Sequence, residues 1–115
     1  MGTNMTVGNG FELYVIDGGE IIIPDNHTLT LVQSSRFIVY KGGTIKGNDI
    51  ELTNASGGSY NYNAGTMEID DFHVNQEGAF YNCGTVRVDE MDFDSGCKFI
   101  NQGKAISGKP IAASL

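Results

Sequence analysis

The chain has 115 residues, enough for one domain, with 40% hydrophobic residues, 16 glycines against 2 prolines and a formal net charge of −7. Lys and Arg total only 7, so the clustered positive charge that nucleic acid or an anionic membrane requires is lacking, and no apolar run is long enough to cross a bilayer as a helix. Abundant glycine with little proline points to tight turns, and 5 tyrosines with 6 phenylalanines argue against disorder.

Residues 1–14 read as an N-terminal cap or lead-in. Met1-Gly2-Thr3-Asn4-Met5 lacks the basic-then-apolar pattern of a signal peptide. Residues 15–106 then carry a repeat, and 107–115 read as a C-terminal tail. Gly19-Glu20-Ile21, Gly43-Thr44-Ile45, Gly65-Thr66-Met67, Gly84-Thr85-Val86 and Gly103-Lys104-Ala105 start successive units, spaced by 24, 22, 19 and 19 residues. The longer upstream intervals leave Pro24-Asp25-Asn26-His27 and Ala55-Ser56-Gly57-Gly58 to bulge as loops.

Within each unit the apolar residues alternate. Met67 and Ile69, then Phe72 and Val74, match Val86 and Val88, then Met91 and Phe93. Period two is a strand signal, and no sustained helical period competes with it. Every third strand repeats its predecessor, which stacked coils explain and an antiparallel meander does not. The expected fold is all-β: a single-stranded parallel β-solenoid (β-helix) of about four to five coils, each of three short strands, with 19–24 residues per coil.

Asn63, Asn82 and Asn101 each stand two residues before a coil glycine. If Phe80 and Phe99 point inward, period two turns Asn82 and Asn101 inward as well. A buried polar column is costly unless satisfied, and an asparagine ladder at a turn satisfies it.

At these residues the chain resembles the β-solenoid repeat regions of secreted bacterial surface proteins, adhesin-like arrays of the kind that accompany LruC-type domains. Their motif, N-x-G-T followed by alternating apolar residues, is matched by Asn63-Ala64-Gly65-Thr66-Met67-Glu68-Ile69 and Asn82-Cys83-Gly84-Thr85-Val86-Arg87-Val88. Gly18-Gly19-Glu20-Ile21-Ile22-Ile23-Pro24-Asp25 with Leu29-Thr30-Leu31 looks like the first coil of such an array. The resemblance implies a structural or adhesive role at the cell surface or outside the cell.

Three outward columns follow from the repeat. Tyr40, Tyr62 and Tyr81, three residues before their coil glycines, form a column that Ile16 begins and Ile100 continues. It is either a platform for a glycan or another surface protein, or an aromatic ladder that stabilises the sheet. Asp49, Asp71 and Glu90 share one offset, and Asn48, Asp70 and Asp89 the offset before. Asp70, Asp71, Asp89 and Glu90 either offer hard oxygen ligands to calcium or form a solvated acidic turn; no EF-hand loop or glycine–aspartate nonapeptide accompanies them. Lys46, Glu68 and Arg87 alternate in sign, as a cross-strand ladder should.

No catalytic residue is expected. His27 and His73 share no offset, and Asp92 and Asp94 form an outward pair without a water-excluding cleft. Cys83 and Cys97 lie at different offsets and are expected as free thiols. The function expected from the sequence is a non-enzymatic structural or adhesion module, with a carbohydrate-binding module using the tyrosine column as the alternative and a carbohydrate-active enzyme as the weakest third. No cofactor other than calcium enters. Unpaired backbone at the first and last coils adds end-to-end self-association to the expectations.

Overall fold

The computed structural model describes residues 5–7, 12–32, 35–53, 60–75, 79–94, 97–108 and 112–113. In chain order the strands are β1 (Met5–Val7), β2 (Glu12–Val15), β3 (Glu20–Leu31), β4 (Arg36–Val39), β5 (Thr44–Leu52), β6 (Tyr60–Asn63), β7 (Thr66–Val74), β8 (Ala79–Asn82), β9 (Thr85–Phe93), β10 (Lys98–Asn101), β11 (Lys104–Ser107) and β12 (Ala112–Ala113). There is no helix among the described residues.

The short strands build a five-stranded wall in the order β2-β4-β6-β8-β10. The long strands build a seven-stranded sheet, β1-β3-β5-β7-β9-β11, with β12 also against β9. Every pairing is parallel. Parallel neighbours cannot be joined by a hairpin, so the chain must travel round between them. Here it does so by way of the other sheet, alternating short and long strands and returning one level further along. The result is a parallel β-solenoid of about four turns.

Each long strand bends at a corner. In β7, Met67 and Ile69 are buried, Asp70 is exposed and Asp71 half-buried, and Phe72 and Val74 are buried again. The inward phase therefore shifts by one residue. The register skips the same place: Ile69 pairs with Val88 and Asp71 with Glu90, leaving Asp70 and Asp89 outside the ladder. Each coil thus has three straight runs, but the first two are one continuous strand. In β3 the corner is longer, because Pro24 to His27 bulge between Ile23 and Thr28, with Asn26 at φ 64°. The other expected insertion, Ala55 to Gly58, lies outside the described residues.

The core is the sum of the inward columns. Phe37, Phe72 and Phe80 are fully buried, with Leu31, Leu52, Ile45 and Met67 around them. Phe72 meets Phe80 edge-on at 4.9 Å between ring centres, tying the long-strand sheet to the short wall. Burying each such side chain contributes about 1.5–3 kcal/mol. No coil could bury these residues alone, so stacking is the fold's main source of stability.

Two devices turn the chain from short to long strand. In the first two coils the amide of Gly19 donates to the Ile16 carbonyl and that of Gly43 to the Tyr40 carbonyl, both at 2.8 Å. These are β-turns whose third residues, Gly18 and Gly42, have φ of 82° and 86°, as type II turns require. In the later coils asparagine takes over. The Gly65 amide donates to Asn63 Oδ1 at 3.2 Å, and Gly84 repeats this with Asn82. The side chain replaces a backbone carbonyl, so the connection is two residues shorter.

The asparagines also bond along the stack, as their spacing predicts. Asn63 Nδ2 donates to Asn82 Oδ1, and Asn82 Nδ2 to Asn101 Oδ1, each at 2.8 Å. The same amides donate to the Thr85 and Lys104 carbonyls at 3.1 Å. Neighbouring coils press together at this corner: a Cβ on Gly84 would lie 2.2 Å from the Gly65 carbonyl oxygen.

Candidate functional site

A solenoid presents its outward residues as columns, so register decides what stands beside what. On the short-strand wall, Tyr14 pairs with Ile38, Ile38 with Tyr62, Tyr62 with Tyr81, and Tyr81 with Ile100. This stripe runs the full length of the stack. Tyr14 and Ile100 are 42% and 40% exposed, and the three between are half-buried.

Tyr62 and Tyr81 therefore stand together as the sequence predicts, whereas Tyr40 lies one corner further on. Val39 pairs with Asn63, so Ile38 rather than Tyr40 occupies the level below Tyr62. Tyr40 follows the strand at the start of the type II turn and meets the Tyr14 ring edge-on at 5.9 Å. Ile16, the expected start of the column, sits at the same corner. Both are well exposed and widen the stripe at its N-terminal end.

A groove of about 300 Å³ opens on this wall, lined by Tyr62, Tyr81, Asn82, Cys83, Ile100 and Gln102. No Asp, Glu, His, Lys or Arg is among them. The Asn82 amide is committed to the ladder, and the other polar groups of the lining belong to Gln102, Cys83 and the two tyrosines. The lining suits a neutral ligand or an apolar protein surface.

The acidic column is in register: Asp49 pairs with Asp71, and Asp71 with Glu90. Asp49, Asp70 and Asp71 are brought together, with one carboxylate oxygen of each within 4.8 Å of the others. Of the four expected calcium ligands, Asp70 and Asp71 belong to this trio, joined by Asp49, while Asp89 and Glu90 stand one level further along. Burial, and then the neighbouring carboxylates, hold the Asp71 carboxyl above its ordinary value of 3.8. Burial also raises Asp49, opposed by the Asp71 amide that donates to its Oδ1 at 3.2 Å.

Register also gives His73 partners that the linear sequence hides. Its Nε2 lies 3.0 Å from Asp94 Oδ1 and its Nδ1 3.5 Å from Glu51 Oε2, so one ring bridges three levels. The separations of 21 and 22 residues, close to one coil, were the available signal. Glu68 pairs with Arg87 at 3.0 Å as its ladder predicts, but Lys46 turns the other way, to Glu20 at 3.2 Å. His27 bonds the carbonyl of Asp25 within its own bulge. Both cysteines are free, Cys83 exposed at the turn and Cys97 half-buried against the core.

No protein-family model, curated protein or solved structure matches the chain.

Proposed function

We propose that this chain is a non-enzymatic structural and adhesion module of a bacterial surface or secreted protein. The observation that supports the reading is the partly exposed stripe of tyrosine and isoleucine from Tyr14 to Ile100 on a chain of net charge −7. A partly exposed stripe of this kind serves contact with other molecules. The resemblance of the Asn-x-Gly-Thr repeats to adhesin-like arrays supports the surface setting. The test is adhesion of beads coated with the chain to protein- and glycan-bearing surfaces. Tyr81→Asp should abolish adhesion while the chain keeps the circular dichroism spectrum of the folded protein; equal adhesion by the variant contradicts the reading.

A second reading, a carbohydrate-binding module, is favoured by the uncharged groove beside Tyr62 and Tyr81. It predicts a glycan-array signal that the combined Tyr62→Ala and Tyr81→Ala substitutions remove; an unchanged signal contradicts it. Calcium binding at Asp49, Asp70 and Asp71 is a separate proposal. With one converging oxygen each, three carboxylates fall short of the six to eight oxygens calcium prefers, so water would complete the shell and affinity would be weak. A melting temperature that calcium leaves unchanged would sink it.

A further inference from the structure

We propose that the short-strand wall is the interface of a two-fold dimer: a second copy of this chain packs against it, sheet to sheet, with its solenoid axis reversed. The inference goes beyond the module reading and competes with the carbohydrate reading for the same surface.

The length and make-up of the stripe favour a protein partner. It spans five levels, about 19 Å at 4.8 Å per level, and extends past the groove to Ile38 and Tyr14. Ile38 and Ile100 offer nothing to sugar hydroxyls but pack well in a sheet-on-sheet contact.

The order of the stripe is self-complementary on reversal. A two-fold axis parallel to β6, at the level of Tyr62, sets Tyr14 opposite Ile100 of the second copy. It also sets Ile38 opposite Tyr81 of the second copy, and Tyr62 opposite its own counterpart. Away from the axis, every aromatic ring meets an aliphatic side chain. This is the isologous pattern of a closed dimer, in which one patch serves both subunits.

Charge chooses the reversed orientation. The other outward column of the wall begins with Glu12 and ends with Lys98, both exposed. Reversal brings Glu12 of each copy to Lys98 of the other. With parallel axes each level would face its own counterpart across the stripe, and Glu12 and Lys98 would find no opposite charge on the other copy.

The test is sedimentation of the full chain from micromolar to sub-millimolar concentration. The mass should rise toward twice the 12.4 kDa of one chain. Tyr81→Lys should remain monomeric while keeping the wild-type circular dichroism spectrum of the folded chain. Lys98→Glu should weaken the dimer by about 5-fold, and adding Glu12→Lys should restore it. In a Cys83→Ser, Cys97→Ser background, Tyr62→Cys should cross-link to its own copy with a short bis-maleimide that spans about 10 Å, while Thr66→Cys on the other sheet should not. A wild-type chain that stays monomeric throughout overturns the proposal, as does a dimer that survives Tyr81→Lys. A monomer that binds glycan through Tyr62 and Tyr81 overturns it in favour of the carbohydrate reading. A monomer that does neither overturns it and leaves the module reading to its own adhesion test.

Discussion

Replacing Asn82 by valine isolates the ladder from the rest of the fold. Asn82 is 1% exposed. Its Oδ1 accepts from Asn63 Nδ2 at 2.8 Å and from the Gly84 amide at 3.2 Å. The two hydrogens of its Nδ2 go to Asn101 Oδ1 at 2.8 Å and, shared, to the Lys104 and Gly84 carbonyls at 3.1 and 3.2 Å. Valine fits the slot, since Val39 occupies the level below Asn63. At about 1 kcal/mol net per bond, losing four bonds removes about 4 kcal/mol. Part returns, because Asn63 Nδ2 keeps the Thr85 carbonyl and the Gly84 amide keeps the Asn63 carbonyl. A net loss of about 2–3 kcal/mol lowers the melting temperature of a domain this size by about 8–12 °C. Asn101 is exposed at the end of the ladder, so Asn101→Val should cost only about 1 kcal/mol. Calorimetry or thermal circular dichroism reads both. A drop below about 3 °C for Asn82→Val, or equal drops for the two variants, would refute the reasoning.

Gly84→Ala should cost about 2–4 kcal/mol, because the added carbon collides with the Gly65 carbonyl and the coils must separate; a melt within error of wild type contradicts that close approach. Asp49 and Asp71 make the same demand on pH. Their folded-state values lie above the ordinary 3.8, so between the two values the folded chain holds more protons than the unfolded one. Their contribution therefore stabilises as pH falls through the raised values, and is lost as pH rises through them. The Asp49→Asn, Asp71→Asn double variant should be more stable than wild type at neutral pH, by a few tenths of a kcal/mol to about 1 kcal/mol. That advantage should shrink on acidification toward pH 4; an advantage independent of pH would contradict the assignment.

The stacking was legible because it follows from spacing and alternation alone. Asn63, Asn82 and Asn101 recur at the coil interval, and their phase relative to Phe80 and Phe99 turns them inward. Tyr40 was misplaced for a local reason. Counting back from the coil glycine assumes one turn length, but Val15 and Val39 precede theirs by four residues and Asn63 precedes Gly65 by two. The same glycine N–H is met by a backbone carbonyl in one case and by an asparagine side chain in the other. Counting instead from the inward pair Phe37 and Val39, against Asn61 and Asn63, recovers Tyr14 and Ile38 as members of the stripe. The bridge from Glu51 through His73 to Asp94 was hidden because its members are distant in sequence and meet only once the register is known. The division into three strands per coil also missed that the acidic corner is a bend within a hydrogen-bonded strand, which is why Asp70 and Asp71 both turn outward.

The central claim is that successive coils stack in parallel and in register, since every column depends on it. Proton contacts in a nuclear Overhauser spectrum of the isotopically labelled chain test this directly. The account predicts contacts from the side-chain amide of Asn63 to Asn82 and from Asn82 to Asn101, with none from Asn63 to Asn101. Strong α-proton to α-proton contacts between β7 and β9, the mark of antiparallel pairing, would contradict it.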